Sequence, residues 1–284
     1  MNARDLAARF SLARSGRSWR GNCPACGYPR AFAIRDGKAG RIAAFCANGC
    51  DRGTLREALN GTPSGAGIPA GDVEAPASAR RRQAALRLWD GSEAAAGTLA
   101  DTYLAGRALP GLAASPALRF RADTPHPEGA RLPAMVALVR DAAGSPVAAH
   151  RTFLAADGRG KATVEPARAS LGPVWGGAVR LEAPGPDGAV VIGEGIESSA
   201  SAGVMIGLPA WAAISAGNLA RGLVLPPELR RVIIAMDPDP AGEAAARQAA
   251  ERWRTPGLHV QLAKPEGGGD FNDLLRTRGD GHAG

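Results

Sequence analysis

Long apolar runs are missing from this chain of 284 residues. None approaches the ~20 consecutive apolar residues of a membrane-spanning helix, which excludes a helical membrane protein. A Walker A sequence is missing as well. The stretch that comes nearest, "DGRGKAT" at 157–163, has its first glycine at the wrong offset and Ala162 in place of Ser or Thr, so no P-loop motor is expected here. Cysteine is missing after residue 50, which excludes a disulfide framework for most of the chain. No internal repeat is present, and "MNARDLAARF" reads as a short amphipathic helix with no signal-peptide hydrophobic region. The expected location is the cytoplasm, with no membrane partner.

What is present is concentrated at one end. Residues 1–60 hold 11 Arg/Lys against 4 Asp/Glu, whereas the remaining 224 hold 23 of each, so the first segment carries the whole net charge of +7. Such a local basic excess is the footprint of a polyanion partner, most often nucleic acid, or else a solvated face. All four cysteines lie in the same segment: Cys23 and Cys26, then nineteen residues, then Cys46 and Cys50. Two knuckles at this spacing can bring four thiolates around one tetrahedral, structural Zn²⁺; the alternative is four unrelated buried cysteines. Between them, "YPRAFAIRDGKAGRIAAFC" predicts two short strands about a turn at 36–40, the layout of a zinc ribbon. Trp19, Tyr28, Phe32 and Phe45 are interleaved with Arg17, Arg20, Arg30, Arg35, Lys38 and Arg41. Aromatics can stack bases while arginines follow phosphates, but so small a ribbon should keep at least two of these aromatics as its core.

Residues 61–78, rich in Gly, Pro and Ser, predict a flexible linker. From Ala79, "ARRRQAALRLWDGS" and "GTLADTYLAGRAL" predict two short helices. Strands are expected at 133–140 and 146–154 about a turn at Ala143-Gly144, then a glycine-rich turn at 158–160. His150, Arg151 and Lys161 would line a nucleotide or template path, or form an ordinary exposed face.

From Gly188 the pattern becomes strand–helix alternation, which predicts a parallel sheet covered on both faces. "AVVIG" leads into Glu194, and "RVIIAM" leads into Asp237 and Asp239. Function in such sheets collects beyond the carboxyl ends of the strands. Residues i and i+2 of an extended segment point the same way, so the two aspartates present paired carboxylates. A cation between them would relieve their repulsion, and Mg²⁺ suits oxygen ligands. The alternative is that Asp239 caps the following helix and Asp237 merely ends a strand.

"VVIGEG" followed by "IIAMDPDPAG" resembles the Toprim domain, the fold with a Glu and an Asp-x-Asp shared by bacterial-type primases, topoisomerases and certain nucleases. "GGGDFNDLLR" resembles the "DFNDLL" element at the end of Toprim domains in phage and mobile-element primases, and the ribbon and the middle segment resemble the regions that precede Toprim there. The resemblance implies an α/β protein: residues 1–60 a zinc ribbon binding nucleic acid, 61–78 a linker, 79–187 a mixed helical and β region, and 188–284 a Toprim domain with a Rossmann-like parallel sheet. It implies Glu194 as general acid/base or metal organiser, Asp237 and Asp239 as Mg²⁺ or Mn²⁺ ligands, and Asp270 and Asp273 as accessories. Ser198 stands where many cellular primases have an aspartate, and Glu197 one position earlier has an open role.

The function implied is a DNA primase making short RNA primers on single-stranded DNA from nucleoside triphosphates, for phage, plasmid or mobile-element replication, with a separate helicase as partner. A Toprim nuclease uses the same acidic set. A non-catalytic recombination or replication mediator also combines a four-cysteine site with Toprim. A topoisomerase is disfavoured because Tyr28 and Tyr103 are the only tyrosines.

Overall fold

The computed structural model describes residues 2–16, 18–25, 27–28, 30–37, 42–46, 50, 52–60 and 75–280. Arg17, Cys26, Lys38, Arg41 and residues 61–74 of the expected linker lie outside the described residues.

The N-terminal unit starts with α1 (Ala3–Arg9), entered through a reciprocal cap in which Asn2 and Asp5 each accept from the other's backbone N–H. Strands β1 (Ala13–Ser15), β2 (Ser18–Gly21), β3 (Phe32–Asp36) and β4 (Ile42–Cys46) form an antiparallel sheet in that order, followed by α2 (Arg52–Asn60). The sequence predicts only β3 and β4, since the three and four residues of β1 and β2 are too short to show alternation. Leu6, Phe32, Ile34, Leu55 and Leu59 bury around Cys23, Cys46 and Cys50. Phe32 is fully buried, and Trp19 and Tyr28 pack against this core, which meets the demand of a small ribbon for aromatic filling.

The middle region opens with α3 (Ala75–Asp90), which begins inside the stretch read as linker. Pro76 is compatible with that start, because a first-turn residue has no helical partner for its N–H. Then come β5 (Glu93–Ala94), α4 (Leu99–Ala105), β6 (Leu118–Pro125), β7 (Arg131–Arg140), β8 (Pro146–Phe153), β9 (Arg168–Leu171) and β10 (Ala178–Arg180). Six consecutive residues of β7, Ala134–Val139, are buried, as expected for a strand with neighbours on both edges. On one edge β7 pairs with β8; on the other it pairs with β6 up to Ala137 and then with β10 from Val139.

The C-terminal part runs β11 (Ala189–Gly193), α5 (Ile196–Ile206), β12 (Ala210–Ala212), a π-helical turn at Asn218–Gly222, β13 (Arg231–Ala235), α6 (Pro240–Trp253), β14 (His259–Ala263) and α7 (Phe271–Asp280). β11 is parallel to β12, β13 is parallel to both β11 and β14, and the order is β14-β13-β11-β12. Alternation along the strands divides the core. Val190, Ile192, Val232 and Ile234 face α6, whereas Val191, Ile233 and Ala235 face α5 and Phe271 of α7. The alanine face of α6, Ala246, Ala249 and Ala250, is buried against the sheet.

The sheet does not stop at residue 188. β12 pairs antiparallel with β10, which pairs with β7, so the parallel strands and the middle region share a ten-stranded sheet. Tyr103, Leu104, Met135, Val179, Ile196 and Ala212 belong to one apolar cluster spanning both. Sequence periodicity is local and does not reveal which strand pairs with which across a boundary.

Candidate active site

β11 has β12 on one side and β13 on the other, so the strand order reverses there and a crevice opens beyond their carboxyl ends. Ile192 pairs with Ile234, so Glu194, two residues on, and Asp237, three residues on, follow the ends of adjacent strands whose axes run about 4.8 Å apart. Gly242, in the first turn of α6, lets the helix close onto Asp237: a Cβ there would come within 2.8 Å of the Asp237 Cβ.

Glu194 is gripped by the loop after β12. Its carbonyl accepts from Ile214 N–H at 2.8 Å, and the nearby Ala216 N–H favours its ionised carboxylate. Ile214 is held at φ 72°, a region costly for a β-branched residue, so the loop stores strain beside the glutamate. Burial, reinforced by the charge of Asp237, raises the Glu194 pKa to about 7, with Arg168 and the Ala216 N–H acting against it. Asp237 is raised too, by burial and by Asp270 and Asp239, while the Ser198 hydroxyl donates to its Oδ1 at 3.1 Å. A serine here supports the aspartate without adding another negative charge.

Asp239 caps α6, accepting from Gly242 N–H at 2.8 Å through Oδ1. The helix-cap alternative therefore describes one of its oxygens. Asp270 and Asp273 form a reciprocal cap on α7: Asp270 Oδ1 accepts from Asp273 N–H at 2.9 Å, and Asp273 Oδ2 from Asp270 N–H at 3.4 Å. Their geometry is that of a helix start, although Asp270 is near enough to raise the pKa of Asp237.

Positive charge reaches the crevice from the middle region. Arg168 of β9 bears on Glu194, Glu197 and Asp237, lowering the pKa of each. Its Nη1 lies 3.9 Å from where a Cβ on Gly195 would stand. Glu197 is buried; its Oε1 accepts from the Tyr103 hydroxyl at 2.5 Å and pairs with Lys161 Nζ at 3.4 Å. These partners outweigh burial and bring its pKa down to about 2. Glu197 thus ties α5 to α4 and to Lys161. The sequence does not single out Arg168 or Tyr103, since nothing in "PARAS" or "LADTYLA" marks a residue whose role depends on register.

Two of the expected path residues have structural roles. Arg151 is buried, and its guanidinium donates to the carbonyls of Pro125, Ala169 and Ser170, which makes it a tie between strands. His150 is buried as well, with Nδ1 2.9 Å from Ser170 Oγ, and desolvation lowers its pKa to about 3. Both lie on a strand with partners on either edge and are buried, and Arg151 also lines the seam between the ribbon and the middle region. Lys161 alone of the three points toward the crevice chemistry.

In the ribbon, the sulfurs of Cys23, Cys46 and Cys50 lie within 4.8 Å of one another, and Cys23 and Cys50 are 3.9 Å apart. Thiolates at ~2.3 Å from a tetrahedral zinc are separated by roughly 3.8 Å, so these three fit that ion. The carboxylates of the crevice are spread wider, since among the described residues only the thiols form so tight a group. Their donor chemistry, oxygen-only with two raised pKa values, fits Mg²⁺ or Mn²⁺. Arg20 and Arg35 are exposed, and Arg30 pairs with Glu128 at 2.5 Å.

No curated protein matches the chain. Among solved structures it is similar to the primase fragment of the bacteriophage T7 primase-helicase protein, at 16% identity over 92% of this chain and 95% of that one, with a TM-score of 0.45. It is also similar to the Aquifex aeolicus primase (zinc binding and RNA polymerase domains), at 13% identity over 99% and 81%, TM-score 0.49. A third is the RNA polymerase domain of Mycobacterium tuberculosis primase DnaG, at 17% identity over 72% and 81%, TM-score 0.46. Residues 79–181 match a domain of unknown function, DUF7146. Residues 189–281, which hold Glu194, Asp237, Asp239 and the α7 cap, match the Toprim domain family, and this part of the chain is a Toprim domain.

Proposed function

We propose that the protein is a DNA primase that makes short RNA primers on single-stranded DNA, in the manner of phage, plasmid and mobile-element primases. The observation that carries the reading is the meeting of Glu194 and Asp237 at a strand-order reversal within a Toprim domain, opposite the cations Arg168 and Lys161. Asp237 and Asp239 would hold Mg²⁺ or Mn²⁺, which when bound orients a triphosphate and offsets charge at the transferring phosphorus. Arg168 and Lys161 supply further positive charge for that triphosphate. The 3′-hydroxyl of the growing strand attacks the α-phosphorus, the bond to the bridging oxygen breaks, and pyrophosphate leaves. Glu194, with a pKa of about 7, is suited to take the hydroxyl proton near neutral pH.

The ribbon, with a structural Zn²⁺ on Cys23, Cys26, Cys46 and Cys50, would hold the template. A separate helicase would expose it, and the setting would be the cytoplasm; no helix among the described residues is long and apolar enough to cross a membrane. Tyr103, buried with its hydroxyl on Glu197, is unsuited to attack DNA.

The test supplies single-stranded DNA, labelled nucleoside triphosphates and Mg²⁺ or Mn²⁺ to wild type, Glu194→Gln and Asp237→Asn. Short labelled products from wild type alone are expected. Shortened template would replace the reading with a nuclease. DNA retention without either product, equal in all three proteins, would replace it with a binding mediator.

A further inference from the structure

The ribbon is seated on the middle region, and the seam between them encloses a cavity of about 470 Å³. The Tyr28 hydroxyl lies 3.1 Å from Ser170 Oγ of β9, and Tyr28 packs against the cores of both units. Arg30 of the ribbon pairs with Glu128 of the middle region across the same seam. Three other guanidiniums line it: Arg20 from β2, Arg81 from α3 and Arg151 from β8, the last already donating to backbone carbonyls. Burial lowers the Arg81 pKa, and Arg20 from the other unit is near enough to add to this, while Cys46 acts against both. Arg81 lies over the Phe45 ring at 3.9 Å, and the one carboxylate lining the cavity, Glu128, is already engaged by Arg30.

We propose that this seam is a composite binding cleft for single-stranded nucleic acid, in which Arg20 and Arg81 hold phosphates and the Arg81–Phe45 stack offers a flat surface to a base. The inference rests on reading the ribbon as a nucleic-acid module and adds that half of the cleft lies outside it. Two like charges brought together without a carboxylate between them are stabilised by an anion, and a planar guanidinium on an aromatic ring suits nucleotide stacking. A strand is favoured over a free nucleotide by continuity. Ser170 lines the seam, while Arg168, two residues back on the same face of β9 and so about 6.6 Å away, stands at the acidic crevice. A strand held in the seam therefore leaves it one nucleotide spacing from Arg168, with ribbon and crevice of the same chain sharing one template.

The experiment measures binding of a fluorescent oligothymidylate to the full chain across salt concentrations, without nucleotides. Each phosphate contact to a single strand contributes about 0.7 to the slope of log K against log salt. Arg20→Gln with Arg81→Gln is therefore expected to lower the slope by about 1.4, and Arg81→Gln alone by about 0.7. Arg81 is outside the ribbon, so the single variant decides the matter if the double variant loses zinc. Arg87→Gln removes an exposed charge from α3 away from the cavity and is expected to leave the slope unchanged. An unchanged slope in Arg81→Gln, or an equal fall in Arg87→Gln, would overturn the proposal. Binding needs no catalysis, so wild type that binds through these arginines but makes no primer would remove the primase reading and keep the cleft. Priming by wild type with unaltered binding by both seam variants would do the reverse.

Discussion

Glu197 and His150 are both buried, and burial alone favours the neutral form of each. For Glu197 the opposing effects of Lys161, the Tyr103 hydroxyl and Arg168 win, and the folded pKa of about 2 lies below its ordinary 4.5. For His150, Arg168, Arg151 and Lys161 add to the effect of burial, Glu197 only partly opposes them, and the folded pKa of about 3 lies below its ordinary 6.5. In each case the unfolded chain takes up a proton first, so stability falls as pH falls. The His150 contribution is lost from about pH 6.5 downward, and that of Glu197 from about pH 4.5 downward. Chemical denaturation at pH 7, 5.5 and 4.5 is expected to show wild type losing stability across this range, with His150→Asn losing less. Parallel losses in the two proteins would contradict a buried neutral His150. The carboxylates of the crevice were visible in the sequence because an acid directly after an apolar run interrupts a simple pattern. Arg168 was not, because its place depends on the register of a four-residue strand.

At the level of elements, α7 shows why "DFNDLL" is written as it is. The two aspartates cap the helix, and Phe271 enters the cluster of Val191, Ile233 and Ala235. Asn272 is buried and donates to Arg107 O at 2.7 Å and Ser201 Oγ at 2.9 Å, fastening α7 to the turn after α4 and to α5. Removing Phe271 leaves a cavity under the parallel strands, so Phe271→Ala is expected to cost about 3–5 kcal/mol. Asn272→Ala, which leaves buried partners unsatisfied, is expected to cost about 1–3 kcal/mol. Urea unfolding checks both, and a change below about 0.5 kcal/mol in either would show that α7 is an appendage. The strands β7, β8, β11, β13 and β14 were legible from apolar runs and alternation; β1, β2, β9 and β10, of three or four residues each, carry too few positions for a period to register.

At the level of the whole molecule, the ribbon is the part that cannot stand on apolar burial alone. Its described core gathers around Cys23, Cys46 and Cys50, and in so small a unit a metal on these thiols would supplement limited apolar burial. The ten-stranded sheet has no such need. Zinc removal by chelation is expected to open the ribbon to proteolysis while residues 79–280 stay resistant, and to weaken oligothymidylate binding; a ribbon that stays protected without zinc would contradict the metal's structural role.

The proposal that matters most is that Asp237 and Asp239, after β13, hold one cation beside Glu194 at the end of β11. Electron paramagnetic resonance of zinc-loaded protein titrated with Mn²⁺ in the presence of a nucleoside triphosphate tests it most directly. Wild type is expected to remove free Mn²⁺ signal with at least tenfold higher affinity than Asp237→Asn and Asp239→Asn. Equal Mn²⁺ binding by all three proteins would contradict the account.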